Sequence, residues 1–146
     1  MTTASHVFRA ERAAGTQSWD ITAHSHWLLR VGFAAVFLFH GVGKLVDPGG
    51  FAAMMGLPYL VAVLVALAEV GGGLAILAGG LIWRDWLTRL AGGVTIPVLI
   101  GAIAMVHWGQ WSFVPSETHP MGGMEFQVVL LLMAIWFVAT GGRHGR

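Results

Sequence analysis

The chain has 146 residues, of which only 10% are Asp, Glu, Lys or Arg and 56% are apolar. Because an average soluble domain carries roughly 25% charged residues, this composition excludes a free-standing soluble globule. The net charge is +1 without a basic tract, which excludes an electrostatic nucleic-acid partner. There is no Cys, which excludes disulfides, thiolate redox chemistry and Cys-ligated metal centres. An integral membrane protein is the class that remains.

The chain begins with a polar, mixed segment at residues 1–24, which lacks the apolar core of a signal peptide and is expected to be a tail. Four apolar stretches follow, at about 27–46, 59–82, 87–108 and 125–141. Each is close to the ~20 residues that a helix needs to cross the membrane, and none alternates as a barrel strand does. The pattern predicts an all-α fold, with one four-helix transmembrane bundle over residues 25–143.

The distribution of cations predicts the orientation of this bundle. With four spans, both termini lie on the same side as the loop between spans two and three. That side carries most of the cations: Arg9, Arg12, Arg84, Arg89, Arg143 and Arg146. Lys44 is the cation of the opposite side, so the positive-inside rule places both termini in the cytoplasm.

Two rows of small residues predict close helix packing. Gly71, Ala75 and Gly79 form one row on span two. Gly93, Pro97 and Gly101 form a similar row on span three. Small side chains at a spacing of four let two membrane helices approach closely, so we expect both rows to face a neighbouring helix.

Ionisable residues inside the spans are the candidates for function, because a charge at the bilayer centre costs at least ~2.5–3.5 kcal/mol. On span one, Arg30, Phe33, Phe37, His40 and Lys44 recur at spacings of three and four. They form one polar and aromatic stripe, which must face the bundle interior or a hydrated cavity.

Glu69 is the sharpest single candidate. It lies ten residues after Tyr59, which at ~1.5 Å per residue places it near the bilayer midplane. His40 falls about one turn from the same depth, so we expect a Glu69–His40 contact. Lys44, His107 and Glu125 lie at the outer ends of spans one, three and four. They either join a shared polar cluster or are unrelated boundary residues, and the cluster is favoured.

Metal and haem sites are disfavoured. His40 and His107 could be axial haem ligands, but their heights differ by ~9 Å on this count. His24, His26 and His119 have no acidic neighbours at ligand spacing and are interpreted as interfacial or loop residues. No metal site is predicted.

Several motifs together resemble one known family. Leu29-Arg30 followed by Phe39-His40-Gly41-Val42-Gly43-Lys44-Leu45 resembles the first-helix signature of the DoxX family, and Glu69-Val70-Gly71-Gly72-Gly73-Leu74 with Gly79 resembles its second. Val106-His107, Gly123-Met124-Glu125 and Gly141-Gly142-Arg143 resemble the later landmarks. The resemblance implies a four-helix protein of the bacterial inner membrane, related to membrane subunits of thiosulfate:quinone oxidoreductase. Some members of the family associate with redox or oxidative-stress proteins.

The leading hypothesis is a quinone-binding membrane subunit of a redox complex. Phe33 and Phe37 would wall an apolar slot, while His40 and Glu69 would act as the catalytic pair that bonds the ring and passes protons. Lys44 and Glu125 would lead to outer water, with His107 completing the cofactor-contacting set. Without a redox centre in the sequence, electrons would come from a partner or from a bound small molecule.

Two alternatives remain at this point. One is a non-catalytic anchor or assembly factor that recruits a soluble redox protein through the tail or through the loop 109–124. The other, less favoured without inverted repeats, is a small transporter that uses Glu69 for proton coupling. A homo-oligomer is expected to pack through the Gly-rich faces.

Overall fold

The computed structural model describes residues 24–141, which contain helices and no strand. The α-helices are α1 (His26–Val46), α2 (Pro48–Met55), α3 (Tyr59–Leu81), α4 (Asp85–Ala102) and α5 (Glu125–Thr140), and a π-helical turn (Ile103–His107) extends α4. The predicted tail, apart from His24, and the last five residues, which include Arg143 and Arg146, lie outside the described residues.

The membrane-spanning character of the chain is confirmed. Within residues 24–141, three helical stretches are long and apolar enough to cross a membrane: α1, α3, and α4 together with the π-helical turn. A shorter apolar helix, α5, has 16 residues. The predicted ends of spans one and two agree with α1 and α3 to within one residue. The protein is therefore a multi-pass membrane protein in a lipid bilayer, and the regular structure of its described part is helical.

The long helices pack in a row rather than in a closed square. α1 lies against α3, α3 against α4, and α4 against α5, whereas α1 and α5 contact each other only sparingly. The contact between α1 and α5 includes the ring of Phe33, which meets the ring of Phe137 edge-on with centroids 5.4 Å apart. We call the half of the bundle around Arg30 and Phe137 the Arg30 end, and the half with Val46 and His107 the loop end.

Glycines on α3 let this helix contact two neighbours at once. A methyl group on Gly72 or Gly79 would lie 2.6 Å or 2.5 Å from threonine side chains of α4. On Gly73 or Gly80 it would lie 2.9 Å or 3.0 Å from side chains of α1. Gly71 has open space beside it. The prediction that Gly71 packs against a helix was therefore wrong. Gly71 lies on an exposed side of α3, whereas the next residue, Gly72, points about 100° away and contacts α4.

The second predicted row also faces away from the helix contacts. A methyl group added to Gly93 or Gly101 would have nothing within 4 Å, whereas Gly92 lies against α5. Pro97 and Gly101 line a cavity instead. The interpretation of this row as a packing surface was wrong by one residue, which on a helix is enough to change the face.

A short helix, α2, begins at Pro48, although the sequence Asp47-Pro48-Gly49-Gly50 is typical of a turn. The Asp47 side chain accepts a hydrogen bond of 2.8 Å from the Gly50 amide, and Pro48 occupies the first helical position. An Asp N-cap followed by Pro is a helix start signal, and it outweighs the low helix propensity of the two glycines.

Arg30 is a structural residue at the junction of the four long helices. It is only 2% exposed, and its Nη1 donates to the Ile76 carbonyl at 2.7 Å and to the Thr88 hydroxyl at 3.0 Å. Its guanidinium carbon lies 5.5 Å from the centre of the Phe137 ring. This burial and these contacts assign Arg30 a structural role inside the bundle.

Candidate functional site

A cavity of about 1950 Å³ occupies the loop end of the bundle. Parts of α1, α3, α4 and α5 form its walls, and α2 and the loop 108–124 contribute residues at its rim. Most of the lining is apolar, as expected of a pocket for an organic ligand. Its ionisable and amide side chains are His40, Lys44, Asp47, Glu69, His107, Glu125 and Gln127.

An ion pair between α1 and α3 forms one polar wall of the cavity. The Lys44 Nζ lies 2.6 Å from both carboxylate oxygens of Glu69, and the two side chains are 21% and 6% exposed. The two helices can approach this closely because Gly41 precedes Lys44 by one turn: a methyl group there would lie 2.8 Å from the Glu69 Cβ. An ammonium has three donors, so one N–H of Lys44 remains available beyond the two that face the carboxylate.

His40 is not the partner of Glu69, contrary to the expected contact. Its side chain is exposed, lines the cavity, and meets the ring of Phe39 edge-on at 5.4 Å. Lys44 lies one turn further along the same stripe of α1 and has a longer side chain with the opposite charge to a carboxylate. Charge complementarity and reach therefore select Lys44 for the buried Glu69.

Phe33 and Phe37 lie in the core and not in the cavity lining. They are 0% and 3% exposed, and their ring centroids lie 4.6 Å apart. This position does not match the expectation that they wall a slot. The aromatic side chains of the cavity are instead Phe39, Phe51, Trp111, Phe113 and Phe126.

A second polar pair joins the π-helical turn to α5. The His107 Nδ1 lies 2.9 Å from the Gly122 carbonyl oxygen, and its Nε2 lies 2.9 Å from the Gln127 amide nitrogen. A carbonyl only accepts, so Nδ1 carries the proton, and Nε2 accepts from Gln127. The wider π-helical turn, a feature often found at functional sites, places this ring at the cavity with 9% exposure.

Gln127 is the member of the site that the sequence reading missed. Its amide oxygen is buried without a hydrogen-bond partner in the described part of the chain, and its side chain lines the cavity. A buried unpaired acceptor costs roughly 1–3 kcal/mol, so this amide has unused binding capacity. The available signal was one amide within the apolar stretch of span four.

Glu125 lies at the start of α5, beside the cavity. Its side chain is half-buried, and its backbone amide donates to the Trp111 carbonyl at 3.0 Å. The neighbouring amides of Gly123 and Met124 donate to Ser112 and Gln110 carbonyls at 2.7 Å and 2.9 Å. These bonds hold the loop 108–124 against the first turn of α5, so that the loop forms an ordered rim of the cavity.

The site therefore contains two hydrogen-bonded polar pairs on different helix pairs, and both pairs line one mostly apolar cavity. Lys44 and Glu69 belong to α1 and α3, and His107 and Gln127 to the extended α4 and to α5. Within residues 24–141 no group of three or more His, Asp or Glu could hold a metal ion. The arrangement is suited to hydrogen bonding an apolar ring with polar edges.

Comparison with known proteins adds the family. The family model of DoxX matches residues 26–108, which comprise α1 to the π-helical turn and include Lys44, Glu69 and His107. The chain belongs to the DoxX family. This DoxX protein is also 33% identical over 119 residues to a protein of Bacillus subtilis (strain 168) named "Putative oxidoreductase CatD", covering 80% of this chain and 78% of the relative. No solved structure matches the chain.

Proposed function

We propose that this DoxX protein is a quinone-interacting membrane subunit of a redox complex in the bacterial inner membrane. The observation that carries the proposal is the large apolar cavity bounded by the Lys44–Glu69 and His107–Gln127 pairs. A quinone presents an apolar ring with two carbonyl oxygens, which this combination of lining and donors suits. The name of the Bacillus subtilis relative, "Putative oxidoreductase CatD", agrees with redox work.

The residues present fit a quinone on their own chemistry. The N–H of Lys44 that faces away from the Glu69 carboxylate is a charged donor for a carbonyl oxygen. Gln127 has a buried amide oxygen without a partner in the described part of the chain, which a hydroxyl of the reduced ring would satisfy. A bound quinone would supply two-electron, two-proton redox chemistry at this site.

Each polar residue then has a distinct role. Glu69 holds the Lys44 ammonium at the cavity wall and balances its charge, and His107 holds a proton at Nδ1 against the Gly122 carbonyl. His40 and Glu125 line the same cavity and connect its polar walls with water at the loop end. Electrons would come from a soluble redox partner or from a bound small molecule, because this sequence has no Cys ligands or dinucleotide fingerprint.

The proposed arrangement in the membrane has α5 as a fourth span. Its 16 residues cover about 24 Å, and the loop 108–124 before its first turn completes the crossing. The cations at the Arg30 end, Arg84 and Arg89, then face the cytoplasm with both termini. The cavity consequently opens toward the outer half of the bilayer.

Equilibrium binding of a benzoquinone to the full chain in lipid nanodiscs tests this function. We expect Glu69→Gln to weaken binding by about tenfold or more, because a hydrogen bond to a charged group contributes about 1.5–3 kcal/mol and Lys44 loses its fixed position. Glu117→Gln is the matched control, since Glu117 is exposed in the loop 108–124 and does not line the cavity.

Unchanged binding in Glu69→Gln would contradict the proposed role of the pair. Absence of saturable binding in the unsubstituted protein would contradict quinone interaction altogether. That second result would leave the non-catalytic anchor or assembly factor as the function that the fold supports.

A further inference from the structure

A second, smaller groove runs along the seam between α1 and α5. It has a volume of about 290 Å³, and all five lining side chains are apolar: Leu29, Val129, Leu132, Met133 and Trp136. We propose that this groove binds the long hydrocarbon chain of the same lipid-soluble ligand whose ring lies in the large cavity. This inference rests on the proposed function, and it adds a tail site and a route from the bilayer.

Continuity with the cavity selects this occupant. Val129 lines both the large cavity and the groove, so the two spaces share a wall. From Val129 the groove follows α5 as far as Trp136, which is about two turns or ~10 Å. The apolar lining of α5 therefore continues from the cavity into the groove, and a chain that leaves the cavity at Val129 would follow it toward the Arg30 end.

The packing of the bundle explains why a gap exists there. The row of helices leaves α1 and α5 in sparse contact, and a ring contact between them joins Phe33 to Phe137. Leu29 lies one turn before Phe33, and the Trp136 ring contacts that of Phe137 at 5.1 Å. The groove thus runs beside this aromatic contact, and the chain would cover the seam from the lipid side.

A tail site in a membrane differs from an apolar pocket in water. Lipid chains are as apolar as Leu, so burial of the tail brings little hydrophobic gain, and close packing in a shaped groove supplies the selectivity. The expected consequence is a fixed position of the tail with a modest gain in affinity, so the test must locate the tail directly.

Photo-crosslinking can locate the hydrocarbon tail of the bound quinone. The probes are two forms of a dimethoxy-methyl-benzoquinone, one with a diazirine on the ring and one with a diazirine in an isoprenoid chain, in phosphatidylethanolamine–phosphatidylglycerol nanodiscs. The tail probe is expected to form adducts on Leu132, Met133 or Trp136 that excess unlabelled quinone suppresses. The ring probe is expected to label cavity residues such as Met105 or Met121.

Two other outcomes of the crosslinking would contradict the tail site, and one of them would also contradict the proposed function. If ring adducts are suppressible while tail adducts spread over all lipid-facing helices, ordinary bilayer lipid fills the groove and the tail site is wrong, but quinone binding stands. If neither set is suppressible, the tail site and the proposed function both fail.

A pair of substitutions on α5 gives an independent readout. Leu132→Trp should fill the groove and weaken binding of the tailed quinone, measured per lipid to remove partitioning, by about three- to tenfold. Binding of a tailless benzoquinone should change less than twofold, because Leu132 does not line the large cavity. Ile135→Trp is the matched control, because Ile135 is 47% exposed against 62% for Leu132 and lines neither space. Equal losses for both quinones, or in both variants, would contradict the tail site.

Discussion

Lys44→Met is expected to lower the free energy of unfolding by about 3–5 kcal/mol, the largest effect among the substitutions considered. The variant leaves the Glu69 carboxylate, whose side chain is 6% exposed, without the ammonium that lies 2.6 Å from both of its oxygens. Removal of one partner of a buried pair is costly because the other charge stays desolvated. Reversible unfolding of the full chain in mixed detergent micelles measures the loss.

A double substitution separates this cause from a simple packing defect. Lys44→Met combined with Glu69→Leu should recover most of the lost stability, because an apolar pair carries no desolvated charge. Arg84→Met, at an exposed cation of the Arg30 end, should stay within about 0.5 kcal/mol of the unsubstituted protein. Equal losses in the single and the double variant would show that the buried charge is not the cause.

Gly92→Ala is expected to have the second-largest effect on stability, a loss of about 1–3 kcal/mol. The added methyl group would lie 2.5 Å from the Ala134 carbonyl oxygen and 2.9 Å from the Val138 Cγ2. The carbonyl belongs to the backbone of α5 and cannot move alone, so α4 and α5 must separate. The same detergent unfolding measurement records the change.

The adjacent glycine is the matched control for this prediction. Gly93 is exposed and has nothing within 4 Å of the new methyl position. Gly93→Ala should be neutral or stabilising, since Ala loses less backbone entropy than Gly in a helix. Similar losses at both positions would mean that helix contact does not distinguish the two glycines.

The predictable part of the fold followed from patterns that repeat over many residues. Apolar length alone placed α1 and α3 to within one residue, because hydrocarbon thickness sets the length of a spanning helix. Composition likewise identified the membrane class. α2 was missed because its start signal, Asp47 with Pro48, is local and competes with the turn signal of Gly49-Gly50.

The pairing inside the site was less predictable, because depth along a helix does not define direction around it. His40 and Lys44 share one stripe of α1, and the sequence alone could not tell which of them reaches Glu69. The length and the positive charge of the Lys44 side chain explain why it, and not His40, pairs with Glu69. The packing predicted for the glycine rows was wrong for a related reason. Gly92 and Gly93 are neighbours in sequence, but Gly92 contacts α5 and Gly93 has open space beside it.

The His107–Gln127 pair could not be predicted from the sequence, for a different reason. It depends on a π-helical turn at the end of α4, which shifts His107 relative to a regular helix, and on Gly122 of the loop, whose φ of 77° suits glycine. Neither feature has a periodic signature. The lone amide of Gln127 within an apolar stretch was the signal that sequence reasoning could have used.

Binding of a tailless benzoquinone to two glycine variants of α4 tests the central claim, that the cavity holds the quinone ring. Gly101 and Gly93 both have open space at the methyl position, but only Gly101 lines the cavity. The first side-chain atom of a leucine therefore meets no neighbour at either position, while Gly101→Leu extends its side chain into the cavity that Gly101 lines. Titration in nanodiscs is expected to show binding weakened about tenfold or more in Gly101→Leu and unchanged in Gly93→Leu. Equal affinity in the two variants would contradict the account.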